Sequence, residues 1–341
     1  MTQEEPPRSS PPPGRQPSHR VPKSRRLSLW QRFQIALRPE FEAGGASNGL
    51  SSEDPAEQPT HDARSDSEPP GTAPALLNGK TPTVTRNDRP YLAVYSLGLF
   101  AVHQDDAPIG DWLSSKGKSV FKYLIAHRQR PVPKEVLMEL FWPDAKPRCA
   151  RNSLNVAIYR VRQALSTQPS FSHVLFQNDC YFLNPDLDVW VDFEAFEEHI
   201  ANARAWERSG DEAAAMREYG AAEALYRGEF LEEDRYESWI IPHRQSLQED
   251  YLRALDQLSR HYFEQDDYDA CVAACSKILS VDPCQEGAHR QMMRCYSRQK
   301  RSSLAMRQFQ NCARVLEKEL GVVPSMPTVD MYQRIRRHQP V

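Results

Sequence analysis

The spacing of apolar residues predicts strands and then helices in the middle of the chain. A run of apolar, β-branched and aromatic residues over 91–102, interrupted at Gly98, predicts two short strands. Apolar residues then recur at helical spacing over 116–127 and 134–142, which predicts two helices. Prolines follow both patterns, and each proline predicts the end of its helix.

A third amphipathic helix is predicted over residues 147–165. An apolar stripe at helical spacing extends from Leu154 to Leu165 and is expected to face the core. The other faces carry arginine, asparagine, serine and tyrosine, and residues 146–177 include no acidic residue. Arginine and asparagine can pair with base edges in the DNA major groove, while arginine and serine can also hold phosphates. The alternative is that this basic face is only solvated.

A hairpin is predicted directly after the third helix. Two short alternating runs, 173–177 and 180–183, flank Asn178 and Asp179, a pair that favours a tight turn. Three helices followed by a hairpin form a winged helix-turn-helix. The sequence therefore predicts such a domain over residues 91–187.

Residues 188–341 are predicted to be helical almost throughout, with an internal repeat. An arginine, a tyrosine and a glutamine recur after 34 residues, as Arg260, Tyr262 and Gln265 and then as Arg294, Tyr296 and Gln299. This is the period of tetratricopeptide (TPR) repeats. The alignment assigns buried packing positions to Leu255, Leu258, Cys271, Cys275, Ile278, Ala305, Phe309 and Cys312. Since such units bury their faces by stacking, a short right-handed TPR-like helical array is expected.

Proline content separates residues 1–90 from the rest of the chain. Of the 27 prolines, 15 lie between Pro6 and Pro90, and aromatic residues are few there. We predict a disordered tail because this segment has too little apolar surface to offset the entropy of ordering. Residues 25–38 could form an amphipathic helix that docks on a membrane surface or a partner. A sticky piece of disordered tail is the favoured interpretation, because short isolated helices are unstable in water.

The net charge of −3 hides an uneven distribution. Counted by segment, the net charge is +1 for residues 1–90, +3 for 91–187 and −7 for 188–341. A basic middle segment beside an acidic C-terminal segment indicates two domains with different roles. The overall balance argues against a protein that coats nucleic acid along its whole surface.

Residues of catalytic or metal-binding type form no convincing site. Seven cysteines without a C-x-x-C pair fit free thiols in a reducing cytosol. Cys271 and Cys275 could bind a metal with Cys284 or Cys295, but they occupy packing positions of the repeat, which favours a structural role. We therefore expect no enzyme activity, no catalytic residues, no cofactor and no metal. Without a long apolar run, no membrane association is expected either.

Several motifs resemble one bacterial family. Phe-Trp-Pro-Asp at 141–144 and the segment 152–165 resemble the OmpR-type winged helix. The segments 191–194, 226–231, 283–290 and 316–324 resemble the bacterial transcriptional activation domain. This pair of domains is typical of the Streptomyces antibiotic regulatory proteins, or SARP family, and the resemblance covers residues 91–337. It implies a mostly α fold with a small β component, in which a TPR-like array over 188–341 follows the winged helix.

The third helix supplies the candidate DNA-binding residues. The resemblance places Asn152, Ser153, Val156, Ala157, Tyr159 and Arg160 towards the groove and Arg162 near the DNA backbone. The polar faces of the helix add two further candidates, Arg148 and Arg151. At the hairpin, Asn178-Asp179-Cys180 departs from the glycine-bearing turn that is usual in the family.

The function implied by the resemblance is sequence-specific transcriptional activation in the bacterial cytoplasm, at the nucleoid. Its partners would be double-stranded DNA, bound at promoter direct repeats by a head-to-tail homodimer, and RNA polymerase. The alternative is a protein-interaction scaffold, in which the helical array binds a partner and the winged helix does not read DNA.

Overall fold

The computed structural model describes residues 91–105, 107–110, 112–165 and 171–341. The tail predicted over 1–90, including the amphipathic segment 25–38, lies outside the described residues. The described part of the chain contains seven strands and ten α-helices. The prediction of a mostly α protein with a small β component is therefore confirmed. No α-helix among these residues is long and apolar enough to cross a bilayer.

The first sheet has four strands in the order β3-β2-β1-β7. They are β1 (Tyr91–Tyr95), β2 (Ala101–Gln104), β3 (Ala107–Pro108) and β7 (Asp188–Val191). The run over 91–102 forms β1 and β2, which pair antiparallel, while β7 pairs with β1 in parallel. A domain boundary after residue 187 would separate β7 from this sheet. The sequence did not indicate the pairing because β1 and β7 lie at opposite ends of the winged-helix segment.

Three helices and a second sheet complete the winged helix-turn-helix. The helices are α1 (Ser115–Ala126), α2 (Lys134–Phe141) and α3 (Pro147–Leu165), each within two residues of the predicted bounds. The second sheet contains β4 (Val132–Pro133), β5 (Val174–Gln177) and β6 (Cys180–Leu183), with β6 between the other two strands. The predicted hairpin is confirmed as the β5–β6 pair, and β4 extends it to three strands.

The C-terminal region forms an array of antiparallel helices. Its helices are α4 (Asp192–Ser209), α5 (Glu212–Leu225), α6 (Ile241–Glu264), α7 (Tyr268–Val281), α8 (Glu286–Arg298), α9 (Ser302–Leu320) and α10 (Met326–Arg336). Each successive pair packs side by side, as expected of stacked helical hairpins. Asp211 and Asp267 cap α5 and α7 by accepting hydrogen bonds from backbone N–H groups of the first turn.

Residues at the predicted packing positions of the repeat are buried. These are Leu255, Leu258, Cys271, Cys275 and Ile278 in one unit and Ala305, Phe309 and Cys312 in the next. The side chains of Cys271 and Cys275 are fully enclosed within the helical core, where a thiol packs as a small apolar group. The 34-residue period thus located the core of this array.

A polar seam joins the two domains within one continuous hydrophobic core. At its centre is Asp192, the first residue of α4, which is 1% exposed. Its carboxylate accepts hydrogen bonds from the backbone N–H groups of Ser96 and Leu97, at 2.8 and 2.9 Å, and from the Ser96 hydroxyl. Burial raises the pKa of Asp192, and these donors oppose that rise by favouring the charged form.

The backbone itself crosses the seam at two glycines. Gly98 has a φ of +107°, and its N–H donates to the carbonyl of Glu229 at 3.0 Å. A Cβ on Gly228 would lie 3.0 Å from the Cα of Gly98, so a larger residue would separate the two chains. The position of the winged helix is therefore fixed against the helical array by backbone contact.

Candidate nucleic-acid interface

The helix α3 packs against the winged-helix core through one narrow stripe. Its buried side chains are Ala150, Leu154, Ala157, Ile158, Val161 and Leu165. This stripe includes the predicted residues and adds two alanines, Ala150 and Ala157. Because the apolar residues occupy one side only, the remaining faces of a 19-residue helix stay available to solvent.

A glycine permits the close packing of α1 on α3. A Cβ on Gly117 would lie 3.2 Å from the carbonyl oxygen of Ala157, which is tighter than most such contacts. The N-terminus of α1 is fixed at the same point, since the Ser114 hydroxyl accepts a hydrogen bond from the Gly117 N–H. Local packing thus sets the orientation of α3.

Most of the predicted DNA-binding residues lie on the exposed side of α3. Arg148, Arg151 and Asn152 are exposed, and Ser153 is half-buried. Val156 and Tyr159 are 58% and 61% exposed, which is unusual for large apolar and aromatic side chains in a core-forming helix. These residues remain predictions as DNA contacts, and helical spacing places all of them except Ser153 on one surface.

The placement of Ala157 towards the groove was wrong. Its side chain is only 2% exposed and belongs to the hydrophobic core. The physical reason is its position in the helix, one turn after Leu154 and next to Ile158, which puts it on the packed stripe. The Ala157 carbonyl oxygen lies on the same packed side, beside Gly117 of α1.

Arg160 and Arg162 differ in what their guanidinium groups contact. The Arg160 guanidinium donates to the Gln163 side chain at 3.0 Å and lies over the Tyr159 ring. The Nε of Arg162 donates to the carbonyl of Val174 at 2.9 Å, at the first residue of β5. Arg162 therefore connects α3 to the hairpin, a positioning role that the sequence did not reveal.

A second hydrogen bond fixes the hairpin to the exposed side of α3. The Tyr181 hydroxyl on β6 donates to the side-chain oxygen of Asn155 at 3.3 Å. Burial raises the pKa of Tyr181, so the hydroxyl keeps its proton at neutral pH. Together with Arg162, this contact presents the helix and the hairpin as one surface.

The hairpin turn adopts the conformation that its residues favour. Asn178 and Asp179 have φ values of 51° and 61°, both in the left-handed region that asparagine and aspartate tolerate. The Lys134 side chain at the start of α2 forms an ion pair with the Asp179 carboxylate, and its backbone N–H donates to the Asp179 carbonyl at 2.9 Å. The turn is thus tied to α2 without a glycine.

One aromatic residue of the hairpin was not among the predicted site residues. Phe176 on β5 is half exposed, and its ring centroid lies 4.6 Å from that of Tyr181. Alternation along β5 places Phe176 on the same strand face as the buried Val174. The exposure arises because the strand extends past the core, which only the three-dimensional structure reveals.

The exposed side of α3 is electropositive. Arg148 and Arg151 form no salt bridge with any residue that the structure describes. With no acidic residue over 146–177, their charges are uncompensated on this segment. We call the surface formed by Arg148, Arg151, Asn152, Val156 and Tyr159 the α3 face. Its charge, its polar groups and its exposed aromatic ring are suited to binding a nucleic acid, which is a polyanion with accessible base edges.

Two family models match consecutive parts of the chain. Residues 112–176 match the model described as transcriptional regulatory protein, C terminal. Residues 191–336 match the bacterial transcriptional activator domain. The first match contains α1, α2 and α3, and the second contains the helices from α4 to α10.

Three bacterial regulatory proteins are similar in sequence to most of this chain. The EmbR transcriptional regulatory protein of Mycobacterium tuberculosis is 23% identical over 257 residues, which are 72% of this chain and 63% of EmbR. The regulatory protein DnrI of Streptomyces peucetius is 25% identical over 259 residues, 73% of this chain and 93% of DnrI. MoaR1 of M. tuberculosis is 24% identical, covering 69% of this chain and 75% of its own length. The chain thus spans less than two thirds of EmbR.

A solved structure shares the fold. The structure of M. tuberculosis EmbR in complex with a low-affinity phosphopeptide superposes with a TM-score of 0.60 at 22% identity, covering 74% of this chain and 67% of that one. The two family models, the relatives and this fold agree with the resemblance found in the sequence. The chain thus combines a segment similar to the OmpR-type winged helix with a bacterial transcriptional activator domain of TPR-like helices, which is the two-domain arrangement of SARP-type transcriptional regulators.

Proposed function

We propose that this chain activates transcription by binding specific promoter DNA through the α3 face. The observation that carries the proposal is the uncompensated, polar surface of α3, held rigidly beside the hairpin by Arg162 and Tyr181. An exposed helix of this width fits the major groove. Arg148 and Arg151 hold phosphates, while Asn152 reads a base edge and Val156 and Tyr159 contact apolar base surfaces.

The proposed binding site is a pair of direct repeats near a promoter, occupied by two copies of the chain arranged head to tail. The winged-helix segment has a net charge of only +3, so a single copy binds DNA weakly through charge alone. A second copy on the adjacent repeat raises occupancy by making binding effectively intramolecular. This support comes from the charge balance and from the relatives' family.

The acidic helical array is proposed to contact RNA polymerase. Its net charge of −7 keeps it from competing for DNA and complements basic surfaces of a protein partner. The backbone crossing at Gly98 and Gly228 holds the array at a fixed angle to the α3 face. A partner bound to the array is thereby positioned relative to the promoter. We propose no catalytic role and no cofactor for the chain, and we place it in the bacterial cytoplasm, at the nucleoid.

The proposal is tested first by finding the DNA sequence. Sequencing of genomic fragments retained by the purified chain is expected to return a repeated motif. Fluorescence anisotropy with that duplex, and with a duplex in which one repeat is scrambled, then measures cooperative binding. Retention without any sequence preference, or salt-insensitive binding, would favour the scaffold alternative, in which the winged helix does not read DNA.

A matched pair of variants tests the role of α3. Asn152→Ala is expected to weaken binding to the specific duplex by about 1–3 kcal/mol, with little effect on the scrambled one, since it removes a base contact. The control is Asn202→Ala, at an exposed position of α4 in the other domain, which should leave both affinities unchanged. Equal binding by Asn152→Ala and the unsubstituted chain would contradict the assignment of α3 as the reading helix.

A further inference from the structure

A small cavity lies between α8 and α10, away from the α3 face. Its volume is about 200 Å³. Arg290 and Arg294 from α8 and Arg334 from α10 line it, and we call it the arginine pocket. Three guanidinium groups around one cavity create a positive potential that attracts an anion. The proposed DNA-binding function uses none of these residues.

Arg290 is held by a network of hydrogen bonds at the start of α10. Its guanidinium donates to the Thr328 hydroxyl at 3.0 Å, and Thr328 is completely buried at the start of α10. The nearby carboxylate of Glu286 already accepts hydrogen bonds from Thr328 and from the backbone and hydroxyl of Ser325. Glu286 lies 4.0 Å from the Arg290 guanidinium. The network therefore orients Arg290 and shares its charge with Glu286, so Arg294 and Arg334 supply the unpaired charge of the pocket.

Arg294 and Arg334 are free to bind a ligand. Both are exposed, and neither forms a salt bridge within the part of the chain that the structure describes. Arg290 and Arg294 are four residues apart, so they lie on the same face of α8. The planar guanidinium fork matches the geometry of phosphate oxygens and can bind two of them at once.

The remaining lining residues define the rest of the ligand. Pro327 and Met331 give an apolar wall, and Asp330 contributes one carboxylate. Val341 completes the lining. The side chains of the lining, three arginines and one aspartate, sum to two positive charges, and Glu286 shares the charge of Arg290. A phosphate monoester carries close to two negative charges at neutral pH. The cavity is smaller than typical ligand pockets of roughly 300–1,000 Å³, so it has room for a short organic group only.

We propose that the arginine pocket binds a small phosphate monoester, with the phosphate on Arg294 and Arg334 and beside Arg290. The organic part then packs on Met331 and Pro327, and a hydroxyl or amine of the ligand donates to Asp330. The pocket is a ligand site of the helical array, separate from DNA binding. Its occupancy joins α8 to α10 and stabilises the C-terminal end of the array.

Isothermal titration of the full chain with glycerol 3-phosphate tests the proposal. Saturable one-to-one binding is expected in physiological salt, and glycerol should not bind because it lacks the phosphate. Inorganic phosphate should bind more weakly, because it lacks the organic part. Equal affinity for inorganic phosphate would overturn the assignment of the apolar wall and Asp330, and the absence of saturable binding would overturn the site.

Substitutions then locate the binding. The double variant Arg294→Ala with Arg334→Ala should lose affinity by about tenfold or more, since it removes two charge-assisted contacts to the phosphate. Arg298→Ala is the matched control, on the same helix but outside the pocket lining. It should bind normally, and equal losses in both variants would show that general charge attracts the ligand. Thermal unfolding midpoints verify that each variant is folded, and binding to the promoter duplex should be unchanged in all of them.

Discussion

Two sets of cations on the winged-helix domain have opposite surroundings. On the α3 face, Arg148 and Arg151 have no acidic partner in the described structure. At the seam, Lys122 and Arg128 form ion pairs with acids of the helical array, at Asp234 and Glu194. The net charge of the domain therefore overstates the positive charge that is accessible to DNA, because part of that charge is neutralised inside the protein.

The seam also explains why lysine is tolerated in a buried position. Lys122 is 3% exposed, yet its ammonium contacts Asp234 and Glu233 and lies 4.8 Å from the centre of the Phe100 ring. An unpaired buried ammonium would be costly, and these partners replace the lost hydration. Seam cations thus contribute to domain docking, whereas face cations remain available to a ligand.

The largest effect is expected from removing the acid at the centre of the seam. Asp192→Ala leaves the N–H groups of Ser96 and Leu97 buried without acceptors. We expect a loss of about 3 kcal/mol in the free energy of unfolding, measured by urea denaturation. Asp186→Ala, at an exposed loop position, is the control and should change it by less than about 0.5 kcal/mol. Equal stability of the two variants would mean that the seam does not hold the domains.

Removal of the buried cation should have the next largest effect. Lys122→Met leaves two neighbouring acids without their shared partner, and a loss of about 1–2 kcal/mol is expected because both acids keep contact with water. Lys118→Met, which removes a more exposed pair with Glu233, should cost less than about 1 kcal/mol. Unfolding in urea measures both. A larger loss for Lys118→Met would contradict the ranking of seam contacts by burial.

Removal of a cation from the α3 face should weaken DNA binding without lowering the stability of the fold. Arg148→Ala is expected to lower affinity by about 1 kcal/mol on specific and scrambled duplexes alike and to reduce the salt dependence by about one ion. The comparison variant is Arg128→Ala, whose guanidinium pairs with Glu194. It should leave the salt dependence of binding unchanged while reducing stability. Anisotropy titrations at several salt concentrations separate the two variants. A changed salt dependence in Arg128→Ala but not in Arg148→Ala would refute the distinction between seam cations and cations of the α3 face.

The smallest expected effect is a pH dependence of the stability that the seam contributes. Burial raises the pKa of Glu233, but hydrogen bonds from Lys118 and Lys122 outweigh it and hold the pKa below its ordinary value. Its ion pairs therefore stabilise the fold above about pH 4.3, the pKa of an unfolded glutamate, and this contribution is lost as the pH falls through the lower folded pKa.

The stability difference between Glu233→Gln and the unsubstituted chain should accordingly stay nearly constant from pH 7 to about pH 5 and shrink between about pH 4.3 and about pH 2. Urea midpoints across this range provide the measurement. Glu198→Gln, at an exposed position of α4, should show no such trend. A difference for Glu233→Gln that grows at low pH would give the opposite sign and exclude a lowered pKa.

Local periodicity predicted most of the fold. The bounds of α1, α2 and α3, the hairpin and the 34-residue repeat all follow from residues close together in sequence. Left-handed conformations at Asn178 and Asp179 agree with the turn that these residues favour. The parallel pairing of β1 with β7 was not predicted, since its partners lie far apart in the chain.

The sequence predicted the residue types of the candidate site better than the orientation of their side chains. The sequence located a helix rich in arginine and asparagine, but it placed Ala157 towards the groove, where the structure buries it. It did not reveal that the Nε of Arg162, which it assigned to the DNA backbone, also holds the first residue of β5. With about 3.6 residues per helical turn, positions at the border of the apolar stripe can face either the core or solvent, and only the neighbouring elements decide which.

The sequence by itself determined the elements, the repeat, the charge of each segment and the family. Only the tertiary structure decided which charges remain free, because the partners of seam cations are distant in the chain, as with Lys122 and Asp234, 112 residues apart. Periodicity reports how a segment divides between core and solvent, and it holds no information about which distant segment covers it. The packing of distant segments leaves the α3 face exposed to solvent and buries the seam.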